Sequence, residues 1–179
     1  MKDALDVHRS LLAREIPHEV VRLPKAVSSA DDIPEALGLA PQRCVAVRMY
    51  LADDRPVAVI VRAGTVPHPG AVLTAARARS LRTARPDVVN ELTDFAAPLV
   101  SPFLLPDSVL VLADACVGHA DVVYAPTGDS GTAVGIASRW LLTASRAAVS
   151  ELCLPEAPAS AADDLDEEFV RALEPPNRR

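Results

Sequence analysis

Cys44-Val-Ala-Val-Arg-Met-Tyr-Leu51 and Val57-Ala-Val-Ile-Val-Arg62 are two apolar runs separated by Ala52-Asp-Asp-Arg-Pro56. β-Branched residues dominate both, and the Asp and Pro residues between them have the chemistry of a hairpin loop. The second run is almost continuously apolar, which places it inside a sheet covered on both faces. Such a hairpin makes the chain a sheet protein, and the other segments are read as what pairs with it or covers it.

Upstream, Leu5, His8, Leu11, Leu12 and Ile16 fall at helical spacing, and Pro17 ends the pattern. His18–Arg22 reads as a short strand. Ser29 opens a second helix with Asp31 and Asp32 in its first turn, and Gly38 closes it. Downstream, residues 64–70 form a loop, residues 71–83 an Ala- and Arg-rich helix, and Pro86 starts a helix ending near Thr93. Three more strands follow at Val109–Leu112, Val122–Ala125 and Thr132–Ile136, with a helix over 137–151. There are too many strands for parallel crossovers alone. The expected class is α+β, with a curved, mostly antiparallel mixed sheet surrounded by helices.

Half of the 179 residues are apolar and only 3% aromatic, so Val, Leu and Ala must build the core. The expected division is one domain over 1–154, then a Pro/Ala linker and an acidic amphipathic helix over 155–179. Leu165, Phe169, Val170 and Leu173 share a face of that helix, which either docks on the domain or reaches for a protein partner. The net charge of −6 argues against nonspecific nucleic-acid binding. Cys44, Cys116 and Cys153 are odd in number and far apart, as in a reduced cytoplasmic protein. No run approaches the roughly 20 apolar residues of a membrane span. His8, His18, His68 and His119 lack metal-ligand spacing, and no phosphate loop or serine elbow is present, so no metal or cofactor is expected.

The remaining informative stretch runs from Leu92 to Pro106 and carries three prolines. Pro102 and Pro106 fix φ and hold their predecessors extended, so the segment is either a rigid pocket wall or a buried crossover. Its Glu91-Leu-Thr-Asp-Phe95 turn and Pro98-Leu-Val-Ser-Pro-Phe103 run resemble the YbaK/ProX family of aminoacyl-tRNA deacylases. The resemblance extends from the first helix to Leu152. It implies a barrel-like curved sheet and hydrolysis of mischarged aminoacyl-tRNA in a pocket holding the ester near a strand lysine.

The family pattern Gly-Leu-x-Pro-x-x-Val-x-Lys-Thr-Leu meets Gly38-Leu-Ala-Pro-Gln-Arg-Cys-Val-Ala-Val-Arg48 here, so Ala46 stands at the lysine position. Arg48, two residues on, shares its face. Lys2 and Lys25 are the only lysines, and Lys25 either swings inward or is a solvated loop residue. Further departures put Leu23 at the family Tyr, Asp94 at a Gly, Pro98 and Leu99 in a Gly-rich approach, and Ala133 at an Asp. The resemblance implies substrate contacts from Ala46, Arg48, Thr93, Asp94, Ser101, Pro102, Phe103, Gly128, Asp129, Ser130, Gly131 and Thr132, with Thr127 beside them. For Gly128–Thr132 a plain turn is the equal alternative. No catalytic residue is assigned. Arg77, Arg79, Arg82 and Arg85, with Arg43 and Arg48, either grip an RNA backbone or form a solvated face. Two functions stand open: a trans-editing deacylase with an altered site, partnered by tRNA, and a binding module that has lost the chemistry. An open polar pocket at Ser101 and Thr132 supports the first, and one filled by Leu99 and Leu104 the second.

Overall fold

The computed structural model describes residues 1–153, so the linker and acidic helix expected over 155–179 lie outside the described residues. The hairpin forms as read. Strands β2 (Val45–Ala52) and β3 (Arg55–Arg62) pair antiparallel from Val45 opposite Arg62 to Ala52 opposite Arg55. The turn is tighter than the expected loop, because Asp53 and Asp54 both adopt positive φ. Paired positive φ at a two-residue hairpin turn matches the twist of the strands, and Asp tolerates it.

β3 is central and buried. Its far side pairs in parallel with β5 (Leu110–Asp114), which pairs in parallel with β8 (Ala148–Ser150). On the outer side of β2 lies β4 (Leu81–Thr83), giving the order β4-β2-β3-β5-β8. A second, antiparallel sheet has the order β1-β7-β6, from β1 (His18–Arg22), β7 (Thr132–Ala137) and β6 (Val122–Pro126). A single bridge from Cys44 to Tyr124 joins the sheets where β2 meets β6. The architecture is α+β with mixed sheets, and the described residues form no closed barrel.

Helix α1 (Ala4–Ala13) starts at Asp3, whose carboxylate accepts from the amides of Leu5 and Asp6 while the Asp6 carboxylate accepts from the Asp3 amide. Ser29 caps a 3-10 turn, Ala30–Asp32, running into the short α2 (Ile33–Leu37), which Gly38 ends at φ 64°. Helices α3 (Pro69–Ala76), α4 (Pro86–Thr93) and α5 (Ser138–Ser145) complete the set. Two helix expectations are corrected. The helix expected over 71–83 stops at Ala76 because Arg77 turns left-handed, and the chain then enters β4. The helix expected over 137–151 stops at Ser145 for the same reason at Arg146, and β8 follows.

The main core lies on the Val45, Val47, Met49, Leu51 face of β2, with Phe95, Phe103, Val100 and Leu141. The opposite face divides in two. Val57, Val59 and Val61 pack under α3 with Val72, Ala76 and Leu152. Ala46 belongs to a separate cluster under α2.

Candidate functional site

Strand alternation carries Ala46 to the face away from the main core, where it is fully buried. Its cluster contains Leu23, Val27, Ala30, Ile33, Cys44, Leu99 and Ala133. Backbone bonds bring these together: the amides of Leu23 and Val27 donate to the carbonyls of Gly131 and Ser130. A 3-10 turn over Ala97–Leu99 brings in the Leu99 side chain. Leu23, Ala46, Leu99 and Ala133, four of the six positions departing from the YbaK/ProX pattern, are therefore neighbours in one packed apolar cluster; Asp94 and Pro98 lie outside it. Leu104 is not among them, since it packs on the main core. Cys44 supplies the cluster's thiol, but burial pushes it up to about 11. It is protonated at neutral pH and a poor nucleophile.

Apart from the exposed Ser130, the polar candidates make local contacts. Thr93 is fully buried; its hydroxyl donates to the Val89 carbonyl at 2.8 Å and accepts from the Phe95 amide at 3.2 Å. Ser101 is also fully buried, with its hydroxyl accepting from the Phe103 amide at a long 3.5 Å. Pro102 is buried and Phe103 is a main-core side chain, so the Ser-Pro-Phe run is a buried crossover. The Gly128–Thr132 group is a self-bonded turn. Asp129 accepts from the Gly131 amide at 2.5 Å and the Thr132 hydroxyl at 3.2 Å, and Thr132 lies 2.7 Å from the Thr127 hydroxyl. Gly128 has φ 96°, and a Cβ there would lie 2.5 Å from Phe95 Cδ1. Asp94 stands at a left-handed helix end, φ 59°, where a Gly is easiest. It faces the N-terminus, at 3.3 Å from the Met1 amino group.

Lys2 was not legible as part of this region. Its ammonium donates to the carbonyls of Thr93 and Leu104 at 2.8 and 2.9 Å, and sits 5.2 Å from the Phe95 ring centre. It clips together the two ends of the Leu92–Pro106 loop across about a hundred residues of sequence. No local pattern signals so long-range a contact. Lys25 stays outside, paired with Glu35 at 2.5 Å.

Arg48 shares the Ala46 face but is held elsewhere. Its guanidinium pairs with Asp31 at 2.7 Å and donates to the Thr65 carbonyl at 3.0 and 3.2 Å. Burial alone would raise the Asp31 carboxyl, but bonds from Arg48 and the Gly64 amide outweigh it and hold it below the ordinary value. Beyond this clamp, β4 stops early and leaves the edge of β2 beside a cleft of about 290 Å³. Arg48, Tyr50, Thr83, Val89, Ala97 and Pro98 line it.

The four arginines proposed for RNA do not share a helix face. Arg77 caps α3, and the Arg79 amide bonds the Asp53 carboxylate. Arg82 lies on β4, paired with Asp54 at 2.8 Å, and Arg85 pairs with Asp87 at 2.7 Å. Arg43 stands apart, 5.8 Å from the Tyr124 ring centre. Among the described residues, no group of three or more His, Cys, Asp or Glu could hold a metal ion, and no helix is long and apolar enough to cross a membrane.

A family model described as aminoacyl-tRNA editing domain matches residues 24–144. Among solved structures, hypothetical protein APE2540 is 21% identical with a TM-score of 0.75, over 82% of this chain and 97% of its own. A structure described as a candidate trans-editing enzyme for prolyl-tRNA synthetase is 23% identical with a TM-score of 0.76, over 84% of this chain and 96% of its own. At these identities the two structures speak to the fold alone. No curated protein matches the chain significantly.

Proposed function

The chain belongs to the aminoacyl-tRNA editing domain family, and from that premise we propose that it is a noncatalytic binding module for aminoacyl-tRNA or a related small molecule. One observation supports this reading: Leu23, Ala46, Leu99 and Ala133 are buried together in one apolar cluster. Ester hydrolysis needs room for the carbonyl and a water, and polar groups aimed at the charge that develops. The cluster supplies neither. The hydroxyls of Thr93 and Thr127 are committed to local hydrogen bonds, and the Cys44 thiol is held protonated.

The second reading, trans-editing hydrolysis with an altered site, is favoured by the cleft beside β2. Edge amides there could stabilise an oxyanion, each donor contributing about 2.7–4 kcal/mol. Arg48 stands on its wall but already serves Asp31 and Thr65. With either reading we propose a cytoplasmic protein, and tRNA is the partner the family match favours.

A deacylation screen of the full chain over a panel of mischarged tRNAs, run beside binding to a non-hydrolysable aminoacyl-tRNA analogue, separates the two. Binding without turnover is expected. Turnover on any charged tRNA, lost in Arg48→Ala, would replace the module with the altered enzyme.

A further inference from the structure

His8 and His18 sit on different elements, α1 and β1, so no spacing rule in the sequence marks them as partners. The turn over residues 14–17 folds them together: Glu15 is left-handed, and the Ile16 amide donates back to the Leu11 carbonyl at 3.0 Å. His8 Nδ1 then lies 2.9 Å from His18 Nε2, with ring centres 5.0 Å apart and planes tilted by 59°. One contact settles the tautomers. His18 Nδ1 is 2.6 Å from the Ile16 carbonyl, which can only accept, so that nitrogen carries the proton and Nε2 presents its lone pair. Beside the pair, His8 lines an apolar hollow of about 320 Å³ with Ala4, Leu5 and Val20, of which Leu5 and Val20 are exposed. The capping box of α1 and the pairing of His18 with Ile136 hold both backbones in place.

We propose that His8 Nδ1 and His18 Nε2 chelate one late first-row divalent metal ion of the kind imidazole favours, Ni²⁺, Cu²⁺ or Zn²⁺. Distances carry the argument. Two nitrogens bound at about 2.0–2.1 Å stand about 2.9 Å apart at a square-planar angle and about 3.4 Å apart at a tetrahedral one. The separation of 2.9 Å meets the first and is about half an ångström short of the second. The two nitrogens now face each other along a hydrogen bond. They converge on one ion when the ring centres close to about 4.5 Å, a small rotation of the half-buried His8 ring. Ligand histidines characteristically donate their second ring N–H to a carbonyl or carboxylate, and His18 already does so at Ile16. The His8 proton leaves Nδ1 and is replaced from solvent at Nε2, so net protonation at neutral pH is unchanged. Among the described residues no third His, Cys, Asp or Glu joins the pair. Water or an anion therefore completes the coordination, and the hollow beside His8 is its route in. The ion ties α1 to β1. This inference does not rest on the binding-module reading above.

The test is calorimetric titration of the untagged full chain with Ni²⁺, which, unlike Cu²⁺, does not oxidise the free cysteines Cys44, Cys116 and Cys153. One Ni²⁺ per chain is expected. His8→Ala and His18→Ala should each weaken binding about tenfold or more, while His68→Ala and His119→Ala leave it unchanged. In isotope-labelled protein, substoichiometric Ni²⁺ should broaden the ring-nitrogen resonances of His8 and His18 before those of the other histidines. Ni²⁺ should also raise the melting temperature of the wild type and not that of His8→Ala. If His18→Ala does not fold, His8→Ala and the wild-type resonances decide. No uptake, uptake undiminished in His8→Ala, or broadening first at His68 or His119 would overturn the chelate. One ion per two chains would also overturn it, because the metal would then bridge molecules.

Discussion

Ala46→Lys returns the family's lysine to its strand position and asks whether a pocket exists to receive it. Ala46 is fully buried among Leu23, Val27, Ile33, Leu99 and Ala133, and the nearby Asp31 carboxylate is already paired with Arg48. The longer side chain must displace packed neighbours, at a cost of about 1–3 kcal/mol. Its ammonium would also lose water among these apolar side chains. A pKa lowered by about 3 units corresponds to about 4 kcal/mol at neutral pH. The sum, about 5–7 kcal/mol, is comparable with the whole stability of a small domain.

The two costs separate by pH. The introduced amine has a lower pKa folded than unfolded, so the unfolded state binds more protons between the two values and stability rises with pH there. Urea unfolding at pH 7 and pH 9.5 should show the deficit shrinking at the higher pH, leaving the packing cost. Leu99→Gly in the same chain makes room and should recover part of the packing cost but little of the charge cost. No deacylation of mischarged tRNA is expected from either variant. A loss below about 1 kcal/mol at pH 7, together with new turnover, would refute the reasoning, because a polar space must then already stand at position 46.

Lys2→Ala removes two hydrogen bonds to the Leu92–Pro106 loop. It should lower stability by about 1–3 kcal/mol in chemical denaturation, and no change would mean the N-terminus is not part of the clip. The Asp31 carboxyl is held below its ordinary value, so its stabilising contribution is present above the unfolded pKa and is lost as pH falls through the folded one. The stability gap between the wild type and Asp31→Asn should be constant near neutrality and close below about pH 4; a gap constant down to pH 3 would contradict this. Replacing Arg77, Arg79, Arg82 and Arg85 together by Ala should leave the salt dependence of tRNA binding unchanged, since Arg82 and Arg85 are already paired and the four share no face. A shallower slope would restore them as phosphate contacts. Truncation after Leu154 should cost no more than about 1 kcal/mol, because the proposed domain ends there; a cooperative loss of the fold would place the tail in the core.

The hairpin was legible because Val and Ile runs around a polar turn have few other stable arrangements, and β3 is buried as its unbroken apolar run demands. The short strands β4 and β8 were not. Leu81-Arg-Thr83 and Ala148-Val-Ser150 are three residues each and mostly exposed, so they carry no periodicity of their own. They hid behind helix-favouring Ala and Arg residues, and the helices before them end on left-handed arginines, Arg77 and Arg146. A glycine at either place would have announced the stop. An arginine in that conformation is held there by its surroundings, and nothing local signals it.

For the site, residue identities were legible and their environment was not. Thr93, Ser101 and Thr127 read equally well as pocket hydroxyls or as groups satisfying their own backbone, and only burial decides between those roles. Ala46 poses the same question more sharply. Loss of a lysine alone would leave a cavity lined by whatever polar groups had faced it, each buried and short of a partner, at about 1–3 kcal/mol apiece. A fold can avoid that cost by keeping the space wet or by filling it with apolar side chains. Leu23, Leu99 and Ala133 are all apolar, all buried, and all in the cluster with Ala46. The second solution is therefore in place throughout the cluster, and a substrate ester seeking that position would have to open a packed core.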